Sequence, residues 1–137
     1  MKKLTQYLNE SLSINKIFVI IKPGFLNKGK EIIEYFKKIG WLVEKTTTKK
    51  LLLQESRKLY EVHKKESFYN DLCEYMSSEP CRAFIFRKET YLKTDMFKET
   101  DNIKDKLRDM YGESDMRNVI HSSDSIESMD KEMRIFF

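Results

Sequence analysis

Apolar and polar positions alternate between two periods along this chain, and the switches between them mark its elements. Residues 1 to about 15 are polar with a weak Leu4, Tyr7, Leu8 stripe and read as an N-terminal extension to a domain spanning 16–137. Lys16 to Lys22 is a continuous β-branched and aromatic run, the pattern of a strand buried on both faces, and Pro23-Gly24 stops it. Ile32, Ile33, Phe36 and Ile39 recur at helical spacing before Gly40, a helix stop. The stretch from Trp41 through Leu53, with Val43, Thr46-Thr47-Thr48 and Leu51-Leu52-Leu53, suits a second strand. Glu55 to about Lys65 reads as a helix with Leu59 and Val62 inward. Ser67 to Ser78 reads as another, with Phe68, Leu72, Cys73 and Met76 inward, completing a helical hairpin.

Pro80 ends the hairpin, and Cys81 to Phe86 is a third strand. The charged stretch 88–116 predicts one or two short helices and loops. Met116 to His121 reads as a fourth strand and Ser125 to Met133 as a last helix. The order βαβ(αα)βαβα predicts an α+β fold: a ferredoxin-like split βαβ sandwich, with a four-stranded antiparallel sheet covered by helices.

Length and charge narrow the classes. A chain of 137 residues fits one domain, and 40% apolar residues suffice to fold it. The net charge of +4 is a mild bias towards anions and falls short of the basic asymmetry of a nucleic-acid binder. No apolar run reaches membrane-span length, and no apolar signal region follows the N-terminal lysines. Cys73 and Cys81 lack metal-site spacing and read as reduced thiols, so the cytoplasm is the expected compartment.

The chemistry concentrates at His121, one of only two histidines. A β-branched run ends in this imidazole, and the capping residues Ser122, Ser123, Asp124 and Ser125 follow at once. A histidine at a strand end before a helix N-terminus sits where phosphate is drawn. A neutral imidazole attacks phosphorus when one nitrogen is free and an acceptor holds the other. Glu132, on the helix that follows, is placed to be that acceptor. The plainer reading of the same residue is a satisfied histidine at a strand end.

The run Arg117-Asn118-Val119-Ile120-His121-Ser122-Ser123-Asp124-Ser125-Ile126-Glu127-Ser128, with Lys131-Glu132 and Ile135-Phe136-Phe137, resembles the active-site signature of nucleoside diphosphate kinases. Ile20-Ile21-Lys22-Pro23, Tyr60, Phe68, Leu72, Tyr75-Met76-Ser77 and Pro80 match the family in the same order, so the resemblance covers about residues 16–137. It implies transfer of the γ-phosphate of a nucleoside triphosphate to a nucleoside diphosphate through a phosphohistidine. His121 would be the nucleophile, with Glu132 and Ser123 hydrogen-bonded around it and Lys22 contacting the transferred phosphate. Arg108 and Asn118 would bind phosphates and sugar, Phe68 and Leu72 would sandwich the base, and Tyr60 would touch phosphate and histidine. Mg²⁺ would arrive on the phosphates of ATP or another nucleotide rather than in a protein metal site. A dimer-based homo-oligomer, hexamer or tetramer, is also implied.

Three departures stand out. The family's Lys-Pro-Asp is Lys22-Pro23-Gly24 here, and the loop before Arg108 is shorter. Asp95-Met96 replaces a Gly-Arg, leaving Lys93 or Lys98 to supply the missing cation and Thr100 or Asn102 to stand for a phosphate-binding threonine. These departures motivate an alternative, a weakly active or inactive paralogue that binds nucleotide or protein. A nucleic-acid-binding domain of the same fold rests only on the charge.

Overall fold

The computed structural model describes residues 13–91 and 95–137. The expected N-terminal extension falls almost wholly outside the described residues, and Lys93 does so entirely. The described residues form strands β1 (Ser13–Ile21), β2 (Leu42–Lys49), β3 (Cys81–Thr90) and β4 (Ile120–Ser122). Their helices are α1 (Gly29–Lys37), α2 (Leu53–Leu59), α3 (Tyr69–Ser78), α4 (Met96–Tyr111) and α5 (Ile126–Phe136). The sheet order is β2-β3-β1-β4, and every neighbouring pair is antiparallel. This is the expected ferredoxin-like topology.

β1 is central, and its continuous apolar run follows from burial on both faces. Ile17, Val19 and Ile21 point into one core with Phe36, Trp41, Phe84, Phe86 and Leu107, under α1 and α4. Phe18 and Ile20 point into the other with Leu59, Leu72, Met76, Ile85 and Phe136, under α2, α3 and α5. α1 closes on Gly40, at φ +94°. There Trp41 N–H donates to the Phe36 carbonyl at 3.0 Å and Gly40 N–H to Lys37 at 2.9 Å, a glycine-capped helix end. Cys73 and Cys81 are buried free thiols.

Several boundaries differ from the sequence reading. β2 ends at Lys49 rather than running through Leu53. Leu51 turns into the core, and the Leu52 N–H is capped by Glu55 at 2.9 Å, so Leu53 opens α2. α2 stops at Leu59 and gives way to a single 3₁₀ turn, Glu61–His63, which leaves Val62 85% exposed instead of inward. Phe68 sits at the start of α3 and is 43% exposed, so it too is not core. The stretch 88–116 holds one continuous 16-residue helix, α4, N-capped by Asp95. Finally, β4 is only three residues long; Met116 to Val119 is not strand.

Candidate active site

The lost strand explains the site. The Val119 carbonyl still accepts from Lys22 N–H at 2.8 Å, just past β1, while the carbonyls of Met116, Asn118 and Ile120 hold cations. Lys22 Nζ, one residue past β1, donates to Asn118 Oδ1 at 2.7 Å and to the Met116 carbonyl at 3.3 Å. Arg108, on the last turn of α4, donates through Nε to the Asn118 carbonyl at 3.2 Å and through a terminal nitrogen to Ile120 at 3.1 Å. Asn118 Nδ2 donates in turn to the Asp115 carbonyl at 2.7 Å, which fixes the amide's orientation. The bend is sharp at Val119, whose φ of +82° is rare for a β-branched residue, and Ile120 N–H reaches back to Asn118 at 3.1 Å.

β4 then presents His121 opposite Ile20 of β1. Its Nε2 lies 2.7 Å from Glu132 Oε1, and the Ser123 hydroxyl donates to the other carboxylate oxygen. An ionised carboxylate only accepts, so Nε2 carries the proton and Nδ1 keeps its lone pair. Nδ1 makes no hydrogen bond with the described residues. Glu132 is held in place because α5 starts at a firm cap: the Ser125 hydroxyl accepts from Ser128 N–H at 3.1 Å. The Tyr60 ring meets the imidazole edge-on, with centroids 5.3 Å apart. Its hydroxyl is buried without a partner among the described residues, and burial pushes its ionisation well above the ordinary tyrosine range. Tyr60 therefore remains a donor.

These side chains line one cavity of about 560 Å³, within the range of small-ligand sites. Lys22, Tyr60, Phe68, Leu72, Arg108, Asn118 and His121 all face it, with Glu132 behind the imidazole. Burial first, and then the positive charges of Arg108 and Lys104, lower the Lys22 pKa from 10.5 to about 7. Such crowding of cations in a dry wall suits a polyanion.

Not every expected residue arrives. Thr100 is buried inside α4, with its hydroxyl donating to the Met96 carbonyl at 2.7 Å, and it does not reach the cavity. Neither Asn102 nor Lys98 lines it. The cation that does is Lys104, four residues before Arg108 on the same helix face. Reading 96–111 as one helix would have revealed it. His63 and Asp115 are further lining residues that the sequence reading passed over, and Ser122 and Asp124, read there as caps and signature residues, also line the cavity.

Residues 15–137 match the model of the family described as nucleoside diphosphate kinase. A protein named nucleoside diphosphate kinase from Hyperthermus butylicus is 34% identical over 92% of this chain and 94% of its own. The chain belongs to the nucleoside diphosphate kinase family. A namesake from Thermosipho africanus is 32% identical over 90% of this chain and 89% of its own. Among solved structures, an orthorhombic crystal form of the Aquifex aeolicus nucleoside diphosphate kinase shares the fold, with a TM-score of 0.75 over 91% of this chain and 96% of that one, at 24% identity.

Against the family pattern, Gly24 marks a rebuilt turn. It has φ +89°, and a Cβ there would come within 2.7 Å of the Arg117 guanidinium. Arg117 lies over the rings of Phe25 and Tyr75 and pairs with Glu113 at 2.6 Å, while the Tyr75 hydroxyl donates to the Pro23 carbonyl. The turn beside Lys22 is thus braced without the family's aspartate. Among the described residues no helix is long and apolar enough to cross a membrane.

Proposed function

We propose that the chain performs its family's phosphotransfer through His121. Nδ1 attacks the γ-phosphorus of a nucleoside triphosphate; the N–P bond forms as the bond to the β-phosphate oxygen breaks, and the diphosphate leaves. The same steps in reverse pass the phosphoryl group to a second diphosphate. Glu132 keeps the Nε2 proton throughout and stabilises the charge the ring acquires on phosphorylation. Lys22 and Arg108 offset charge on the transferred group, and the unpartnered Tyr60 hydroxyl is a ready donor to it. Phe68, half-exposed at the cavity and 5.6 Å from the His63 ring, offers the base a stacking face beside Leu72, and Asn118 lies within reach of the sugar. Stacking alone does not select a base.

The wall has cations and two carboxylates, Asp115 and Asp124, and the described residues hold no cluster of three or more His, Cys, Asp or Glu side chains. That donor set fits a hydrated Mg²⁺ brought on the nucleotide, where it neutralises phosphate oxygens, rather than an ion caged by protein. A dimer-based homo-oligomer belongs to the same reading. β2 is an edge strand with Leu42 and Val43 exposed, a surface that suits pairing with another copy.

The observation that carries the proposal is the histidine tethered at Nε2 and free at Nδ1 beside two anchored cations. Incubating the protein with γ-labelled ATP and Mg²⁺ should leave acid-labile, base-stable phosphate that chases onto added diphosphates. Absence of label on wild type, or equal label on His121→Ala, would falsify it. Nucleotide binding without label would favour the inactive paralogue instead.

A further inference from the structure

Among the described residues three cations reach the cavity wall, and they are not equally tied. Lys22 is fixed by Asn118 and Met116, and Arg108 by the carbonyls of Asn118 and Ile120. Both are locked next to the segment that carries His121. Lys104 is different. Among the described residues its ammonium pairs only with Asp101, 3.2 Å away, one turn back on α4, and that carboxylate is 58% exposed. A pair whose carboxylate lies exposed is weak and exchanges readily for a better anion. Lysine's four-carbon stem gives it the reach to do so.

The helix also sets the direction. Lys104 and Arg108 are one turn apart on one face, so Lys104 stands about 6 Å further along α4 from the histidine-bearing segment. Asp95, where the family pattern has a glycine, is occupied in capping α4, its carboxylate accepting from Lys98 N–H at 3.2 Å. Met96 beside it carries no charge. The α4 face that replaces the family's loop thus offers its own cation.

Resting on the reading of His121 as phosphoryl acceptor, we propose that Lys104 is a phosphate-positioning residue: its ammonium leaves Asp101 and binds a non-transferred phosphate of the nucleotide. Donor and acceptor nucleotides share those phosphates, so the contact strengthens binding of both and is unchanged as the γ-phosphoryl moves. Uniform binding of this kind shows in KM and not in kcat.

Steady-state kinetics on the full chain, varying ATP and a diphosphate acceptor in turn, tests this. Lys104→Met should raise KM for both substrates by roughly tenfold, the loss expected for one charge-assisted contact, with kcat within about twofold of wild type. Lys104→Arg should restore most of the affinity, and Asp101→Asn, by releasing the ammonium, should lower KM. An unchanged KM in Lys104→Met, a fall in kcat alone, or a KM defect that arginine fails to rescue would overturn the proposal. If wild type acquires no phosphohistidine, the underlying reading fails; if wild type is labelled and Lys104→Met binds normally, only the role of Lys104 falls.

Discussion

Lys22 should make the protein less stable, and its removal should show this directly. The ammonium is buried, and its pKa falls from 10.5 to about 7 through burial and then through Arg108 and Lys104. At about 1.4 kcal/mol per pH decade, that costs folding up to about 5 kcal/mol below pH 7. The sign follows from proton counts. Between pH 7 and 10.5 the unfolded chain keeps a proton that the native state has lost, so wild-type stability rises with pH across this window and the penalty vanishes above it. Lys22→Met removes the charge but strips Asn118 Oδ1 of its donor, an offset of about 1–3 kcal/mol. The variant should therefore be more stable than wild type by about 2–4 kcal/mol at pH 6. Near pH 10 it should be equal or less stable. Urea unfolding, followed by fluorescence of the single, buried Trp41, measures both. Its phosphorylation should drop by about 10²–10³-fold, as for loss of one fixed electrostatic group. A Lys22→Met protein less stable than wild type at pH 6, or a difference that ignores pH, would refute the reasoning.

Three further outcomes are expected. Glu132→Gln keeps the shape but removes the charge that holds the Nε2 proton, so His121 labelling should slow by about 10–100-fold with little change in melting temperature; an unaltered rate in a quench-flow assay would count against the tether. Phe68→Ala should lose about 1–3 kcal/mol of nucleotide affinity by calorimetry, the worth of one stacked ring. It should change folding stability by less than about 1 kcal/mol because the ring is half-exposed, whereas an inward phenylalanine would cost about 3–5 kcal/mol. Chelation of Mg²⁺ with EDTA should abolish labelling while leaving the melting curve of the nucleotide-free protein unmoved; a lower melting temperature would reveal a resident ion.

The sequence was most readable where one pattern had one physical cause. The apolar run of β1 has to be buried on both faces, and it is, with odd and even residues entering different cores. The eleven-residue gap from His121 to Glu132 spans a strand end, a capped turn and two helical turns, which leaves little freedom in where the carboxylate lands. Legibility failed where tertiary partners outvote local preference. Val62 and Phe68 fit an inward helical stripe, but α2 ends at Leu59, the 3₁₀ turn Glu61–His63 leaves Val62 outward, and Phe68 falls at the exposed N-cap of α3. Thr100 has the right chemistry for phosphate, yet its phase on α4 points it into the core, where only its own helix can satisfy the hydroxyl. Lys104 went unseen because the Asp- and Lys-rich stretch around it looked like broken helix. Its stripe, Ile103 and Leu107, is too short to mark the period against so many charges.

Met116 to Val119 carries the deepest of these reversals, since its sequence reads as strand and the chain instead bends sharply before β4. The register of β4 on β1 turns the odd residues toward β1, and the Val119 carbonyl keeps that bond, accepting from Lys22 N–H at 2.8 Å. The carbonyls of Met116, Asn118 and Ile120 aim at Lys22 and Arg108 instead, at the expense of a positive φ on Val119 that costs about 1–3 kcal/mol. That strain, and the buried ammonium of Lys22 facing it from the end of β1, lie beside His121, the nucleophile of the proposed reading. The consequence is that Lys22 and Arg108 are fixed by the protein itself, whereas Lys104 is tied among the described residues to Asp101 alone. In the proposed reading, a phosphoryl group meets Lys22, Arg108 and His121 already in place, so little of its binding energy is spent on ordering them.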